Sequence, residues 1–246
     1  MQQLATEAGI PPSVLHTITA DRSTTAAVGE EFCTNPAVRK VSFTGSTAVG
    51  KRLMQQSSTT VQRLSLELGG NAVFCVFDDA DVDQAVQAAV AAKFRNAGQT
   101  CVCADRFLVQ ENVHDEFVQK LQQVIVNKLV VGNGMDPNTT MGPLISSQAV
   151  GNVDGKVQQA LKQGASCVTG GYALNDLGPN FYAPTILTNV DVNSDIWATE
   201  TFGPVAAVRS FATEEEALDI ANDCCVGLAS YFCTRDLARA FRFSKR

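Results

Sequence analysis

The chain has 246 residues, 45% hydrophobic and 18% charged, enough for one large domain or two modest ones around a sizeable core. Its net charge of −6 argues against a nucleic-acid groove as the main function, and no apolar run approaches the roughly 18 residues of a membrane helix, so neither nucleic acid nor membrane is an expected partner. Eight cysteines without a dense framework, no C-x-x-C and only two histidines, His16 and His114, read as reduced intracellular thiols with no metal site.

Met1 to Ile10 carry no Lys or Arg, so neither a transit peptide nor a secretory leader fits. Leu4, Ala5 and Ala8 read instead as the tail of a helix stopped by Gly9 and Pro11. At the other end Leu237, Ala240 and Phe241 keep helical spacing without a capping glycine, so both ends read as cut from a longer protein. Val14 to Thr19 and Val38 to Phe43 are expected strands, and Gly45 to Gln56 a glycine turn followed by a helix. Val61 to Leu68 alternates like a strand, and Ala72 to Phe77 is a buried apolar strand. Val82, Ala85, Val86, Ala89, Val90 and Phe94 recur at helical spacing and predict a helix from Asp81 to Asn96, capped by Asp79 or Asp81 and stopped at Gly98. Then follow a strand at Arg106 to Gln110, a helix at Val113 to Leu129, a polar loop at Gly132 to Gly142 and a helix at Ser146 to Gln163. A strand at Val205 to Phe211 leads to a helix opened by a capping box, Thr213 with Glu216. The alternation predicts an α/β fold with a boundary near Glu67–Gly70, splitting residues 1–66 from 67–246.

Four motifs carry chemistry. Val41 to Lys51 is a strand, a Gly45-Ser46 turn and a helix start, an arrangement that offers backbone N–H groups and a positive helix end to phosphate. It fits a dinucleotide site, a plain turn, or a P-loop nucleotidase, although Arg52 stands where the last needs Ser or Thr. Gly98-Gln99-Thr100-Cys101-Val102-Cys103 sets a thiol in a polar turn after a helix stop; a reactive thiolate and a buried small hydrophobe both fit. Leu66-Glu67-Leu68-Gly69-Gly70 ends a strand on a carboxylate beside two glycines, suited to a general base if desolvated. Glu200-Thr201-Phe202-Gly203-Pro204 is a structured turn bearing an acid and a ring. Asp79, Asp81 and Asp83 imitate a calcium loop, but Gln84 and Val90 replace its glycine and final glutamate. Cys224-Cys225 reads as core in a helical stretch with Leu218 and Ala221.

Taken in order, the four motifs resemble the aldehyde dehydrogenase superfamily over essentially the whole chain. Lys93 to Cys103 and Val131-Gly132-Asn133-Gly134 are similar to its succinate-semialdehyde branch. The resemblance implies a partial Rossmann-type dinucleotide-binding domain plus an incomplete α/β catalytic domain. It implies that Cys101 attacks a small-molecule aldehyde and that Glu67 activates water, with NAD or NADP as cofactor. Gly45 and Ser46 would border the pyrophosphate, Leu68 would approach the nicotinamide, and Glu200 would hold its ribose with Phe202 nearby. Cys101 and Cys103 would form a reversible disulfide under oxidant. Arg95, six residues before Cys101, is expected to hold a substrate carboxylate by two parallel hydrogen bonds. A homo-oligomeric full-length form and an intracellular compartment, mitochondrial or cytoplasmic, complete what the likeness implies. Family members also carry an upstream asparagine for the oxyanion hole and a lysine for the adenosine ribose; neither lies in this sequence. The isolated chain is therefore expected to be poorly active.

Overall fold

The computed structural model describes residues 1–246, which divide into two units, Met1–Leu68 and Gly69–Arg246. In the first unit, α1 (Gln2–Glu7) is followed by α2 (Thr25–Thr34), β1 (Lys40–Thr44), α3 (Thr47–Ser57) and β2 (Arg63–Glu67). β1 and β2 pair in parallel across α3, with Thr44 opposite Glu67. Cys33, Val41 and Leu53 form the small core, with Val38, Phe43 and Leu64 against it. Val14 to Thr19, an expected strand, is irregular and exposed. No strand of the chain supplies its backbone partners, and the Thr17 N–H turns to the Gln2 side chain instead, at 3.3 Å.

The second unit is built on a six-stranded sheet. Its elements run β3 (Ala72–Val76), α4 (Val82–Lys93), a 3-10 turn (Arg95–Gly98), β4 (Ala104–Gln110), α5 (Glu111–Lys128), α6 (Ser147–Lys162), β5 (Ser166–Thr169) and β6 (Thr185–Thr188). Then come α7 (Asp195–Ala198), β7 (Val205–Phe211), α8 (Glu214–Asn222), β8 (Ser230–Cys233) and α9 (Leu237–Phe243). The strand order is β5-β6-β7-β4-β3-β8, parallel except for β5. Helices cover the sheet, so β3 is buried throughout and reads as an unbroken apolar run. Phe74, Phe107, Leu108, Phe117 and Leu121 lie at the centre of one continuous core. No helix is long and apolar enough to cross a membrane.

Local physics explains several element ends. Asp81 caps α4 by accepting from the Gln84 N–H at 3.1 Å. At α8 the Thr213 hydroxyl accepts from the Glu216 N–H at 3.2 Å, while the Glu216 carboxylate reaches back one residue further than a capping box requires, to the Ala212 N–H at 2.8 Å. Asp83 pairs with Lys120 at 2.8 Å. Asp79 accepts from the Thr234 hydroxyl and from the N–H groups of Arg235 and Asp236 at 2.7–2.9 Å, and pairs with Arg239 at 2.6 Å. The three aspartates of the calcium-like run thus serve three different structural tasks, and Asp79 ties the turn after β3 to the one before α9.

Three further sequence expectations need correction. The helix expected to reach Asn96 stops at Lys93, because Asn96 and Ala97 adopt left-handed conformations with φ of 52° and 53°. Left-handed backbone disfavours residues with a β-carbon, and it commonly marks a place where function imposes the shape. Cys224 and Cys225 are not core: α8 ends at Asn222, leaving Cys224 half-buried and Cys225 exposed. The P-loop reading fails as well. Gly50 and Lys51 lie inside α3, which starts at Thr47, so no long glycine loop is left to wrap a phosphate.

Candidate active site

In the first unit the parallel pairing of β1 and β2 brings three expected residues to one strand end. Glu67 lies opposite Thr44, and the Gly45 N–H donates to the Glu67 carbonyl at 3.0 Å. Ser46 caps α3, its hydroxyl accepting from the Val49 N–H at 3.4 Å. The N–H groups of the first helical turn before Val49 have no intrahelical partner and point out of the carboxyl edge of the strands, where α/β sheets bind ligands. Leu68 is half-buried, and the Glu67 side chain is exposed rather than desolvated.

In the second unit a loop, a turn and a strand end converge on Cys101. The left-handed Asn96–Ala97 pair turns the chain out of α4, and Gly98, also left-handed at φ 75°, follows. Gly98 packs on the Gly203 carbonyl so closely that a side chain there would collide with backbone. This contact sets the cysteine turn against the Glu200–Pro204 turn. Gln99 fastens the other side through its side chain: Oε1 accepts from the Ile145 N–H at 2.8 Å, and Nε2 donates to the carbonyls of Asn96 at 3.0 Å and Pro143 at 3.3 Å. The Val102 carbonyl accepts from the Tyr231 hydroxyl at 2.7 Å. Cys101, fixed by its neighbours on both sides, is half-buried.

Cys103 is buried, with its sulfur 2.6 Å from the Thr100 hydroxyl and 3.7 Å from the Lys93 carbonyl. Beneath it the ammonium of Lys93, 0% exposed, pairs with Asp105 at 2.7 Å. Removing one member of such a pair would strand a charge in the core.

Gly70 joins these parts. Its N–H donates to the Glu200 carboxylate at 3.4 Å, and its α-carbon lies against the Cys101 carbonyl. The next residue, Asn71, donates to the Trp197 carbonyl at 2.9 Å and accepts on its own carbonyl from buried Arg106 at 3.1 Å. The remaining Arg106 donors cap the end of α8 through the carbonyls of Ile220 and Ala221, both at 3.0 Å. Burial pushes the Glu200 carboxyl above its ordinary value, against the Gly70 N–H, which favours the charged form. Phe202 is exposed, with φ 50°. It lines an open cleft of about 560 Å³ with Asn96, Gln99, Pro143, Leu144, Ile145 and Asn180. Arg95 is exposed and in no ion pair, and it does not line that cleft. Sequence reasoning quoted Gln99 and Gly70 within their motifs and Arg106 as the start of a strand, but gave none of them a role in the site.

A parallel α/β sheet with a cysteine turn and a carboxylate loop at one edge defines a class, and comparison with known proteins agrees. The aldehyde dehydrogenase family model matches residues 1–246, and the chain belongs to that family. It is 51% identical over 246 residues to the mitochondrial succinate-semialdehyde dehydrogenase of Rattus norvegicus, covering 100% of this chain and 47% of that protein. It is 50% identical over 242 residues to the succinate-semialdehyde dehydrogenase [NADP(+)] GabD of Escherichia coli, covering 98% and 49%. The solved structure of succinate-semialdehyde dehydrogenase from Burkholderia pseudomallei superposes with a TM-score of 0.95 at 50% identity, covering 99% of this chain and 49% of that one. The chain spans about half the length of the relatives it matches.

Proposed function

We propose that this chain supplies the thiol, the general base and part of the dinucleotide site of an NAD(P)-dependent aldehyde dehydrogenase acting on succinate semialdehyde. The observation that carries the reading is the meeting of the Cys101 turn, Gly70 and the Glu200 carboxylate within one unit. The donor set suits a dinucleotide. Uncapped N–H groups at the start of α3 offer hydrogen bonds to a pyrophosphate, and the half-buried Glu200 carboxylate offers acceptors to ribose hydroxyls. Residues 1–66 then belong to the dinucleotide-binding part and residues 67–246 to the catalytic part.

In this mechanism the Cys101 thiolate attacks the aldehyde carbon and forms a thiohemiacetal. A bound dinucleotide would supply the hydride acceptor that takes this adduct to a thioester, with the Gly45-Ser46 turn offered to its pyrophosphate and Glu200 to its ribose. Glu67 takes a proton from water, which attacks the thioester and releases the acid and the thiol. Exposure of Glu67 leaves it open to that water. Arg95, exposed and free of any acid of its own, would meet the distal carboxylate of a semialdehyde. The assay is NADH or NADPH formation from succinate semialdehyde by a full-length enzyme carrying these residues. Turnover that vanishes in Cys101→Ala supports the reading, and turnover that survives it refutes the reading.

A further inference from the structure

Helix α6 carries a lysine that the mechanism above does not use. The Lys156 side chain is 16% exposed and points at the segment that follows α7. Its ammonium donates to the Thr199 hydroxyl at 2.5 Å, to the Glu200 carbonyl at 2.8 Å and to the Thr199 carbonyl at 3.2 Å. An ammonium has three N–H groups, so these contacts use all of them. The carboxylate of Asp195, at 3.7 Å, is the most distant neighbour of the four. The Thr199 hydroxyl in turn donates to Asp195, closing the turn from α7.

We propose that Lys156 is a positioning residue for Glu200: its ammonium pins the Thr199–Glu200 backbone and so holds the Glu200 carboxylate at the Gly70 N–H. A surface ion pair with Asp195 would place the ammonium on the carboxylate. Instead its three short contacts go to the backbone and side chain that lead into Glu200. Asp195, Asp105 and Glu200 act on Lys156, and Asp105, Lys93 and Lys156 act on Glu200. Burial lowers the Lys156 pKa and raises that of Glu200, so each group is ionised at some desolvation cost and each favours the charge of the other. No lysine-specific pattern marks this residue in the sequence, since the contact spans 44 positions.

The link to cofactor use rests on the reading of Glu200 as the ribose-holding carboxylate; the pinning does not. Two measurements on the 246-residue chain test the pinning without any cofactor. The first is the titration midpoint of the Glu200 carboxyl carbon by NMR. The second is amide hydrogen exchange through residues 199–203. Lys156→Gln keeps a hydrogen-bond donor but loses the charge, so the midpoint should move up and exchange should quicken about tenfold. Lys156→Arg should restore the midpoint, and Asp195→Asn, which spares the three short contacts, should leave exchange near wild type. An unmoved midpoint and unchanged exchange in Lys156→Gln would overturn the proposal, as would the same loss in Lys156→Arg. In the full-length enzyme Lys156→Gln should raise KM for the dinucleotide several-fold and spare kcat. If the midpoint and exchange move while KM does not, the pin stands and the ribose role of Glu200 falls.

Discussion

A β-carbon on Gly70 would stand 2.5 Å from the carbonyl oxygen of Cys101. Gly70, just after β2, therefore serves packing against the cysteine turn, while its N–H faces Glu200.

Gly70→Ala must push that turn aside. Overpacking of this kind typically costs about 1–3 kcal/mol. The expected outcome is a lower denaturant midpoint with unchanged slope, together with an altered rate of Cys101 alkylation by iodoacetamide. Gly134, which has nothing within 4 Å of an added β-carbon, is the control. Gly134→Ala should leave both readings near wild type. Equal behaviour of the two variants would show that Gly70 does not shape the cysteine turn.

Oxidation should reach Cys101 first, because Cys103 is buried with its sulfur engaged by Thr100 and Lys93. A Cys101–Cys103 disulfide must draw Cys103 out of that pocket, so the bond should be strained and easily reduced. Peroxide inactivation of the full-length enzyme is expected to reverse with dithiothreitol, and to become irreversible in Cys103→Ala. Thr100→Val, which frees the Cys103 thiol, should speed disulfide formation. Inactivation that dithiothreitol cannot reverse, or that is the same in Cys103→Ala, argues against the switch.

The raised Glu200 pKa has two consequences of opposite sign. Burial is its main cause. A carboxyl whose folded pKa exceeds its unfolded value contributes most to stability below the unfolded value and loses that contribution as pH rises through the folded value. Glu200→Gln should therefore raise Tm at neutral pH. The ionised carboxylate is also the better acceptor for ribose hydroxyls, so KM for the dinucleotide should climb as pH falls, beginning above the ordinary glutamate range. In Glu200→Gln that acid limb should flatten. A limb unchanged in the variant would assign it to another group.

Arg95 is exposed and unpaired, at the first residue of the 3-10 turn that leads into the cysteine turn. A hydrogen bond to a charged group is worth about 1.5–3 kcal/mol, or roughly tenfold to a hundredfold in binding. Arg95→Ala should raise KM for succinate semialdehyde by about that factor and leave a neutral aliphatic aldehyde little changed. Equal losses for both substrates would make Arg95 a folding residue.

Much of this was legible in the sequence where one periodicity dominates a segment. α4 and α6 carry apolar residues on one face; Asp81, one of the two caps the sequence offered for α4, is the one that caps it, and Ser146, the expected first residue of α6, is its cap. β5, β6 and β8 are four residues each, too short for an alternation to stand out, and all three escaped notice. Val14 to Thr19 misled because β-branched residues resemble a strand whether or not a partner exists to receive their backbone bonds. The break at Asn96–Ala97 was hidden because Phe94 and Ala97 continue the helical spacing across it. Within the candidate site the cysteine turn and the Glu200 turn were recognisable as motifs. The contacts that hold them together, Gly98 on Gly203 and Gly70 on Cys101, are long-range and leave no local mark.

The central claim is that Cys101 carries the acyl group and Glu67 releases it. The most direct test is mass spectrometry of acid-quenched full-length Glu67→Gln enzyme mixed with succinate semialdehyde and dinucleotide. The account predicts a burst of reduced dinucleotide close to one per active site, with a succinyl group accumulating on the peptide that contains Cys101. A burst with no acyl group on that peptide, or unimpaired steady turnover in Glu67→Gln, would contradict it.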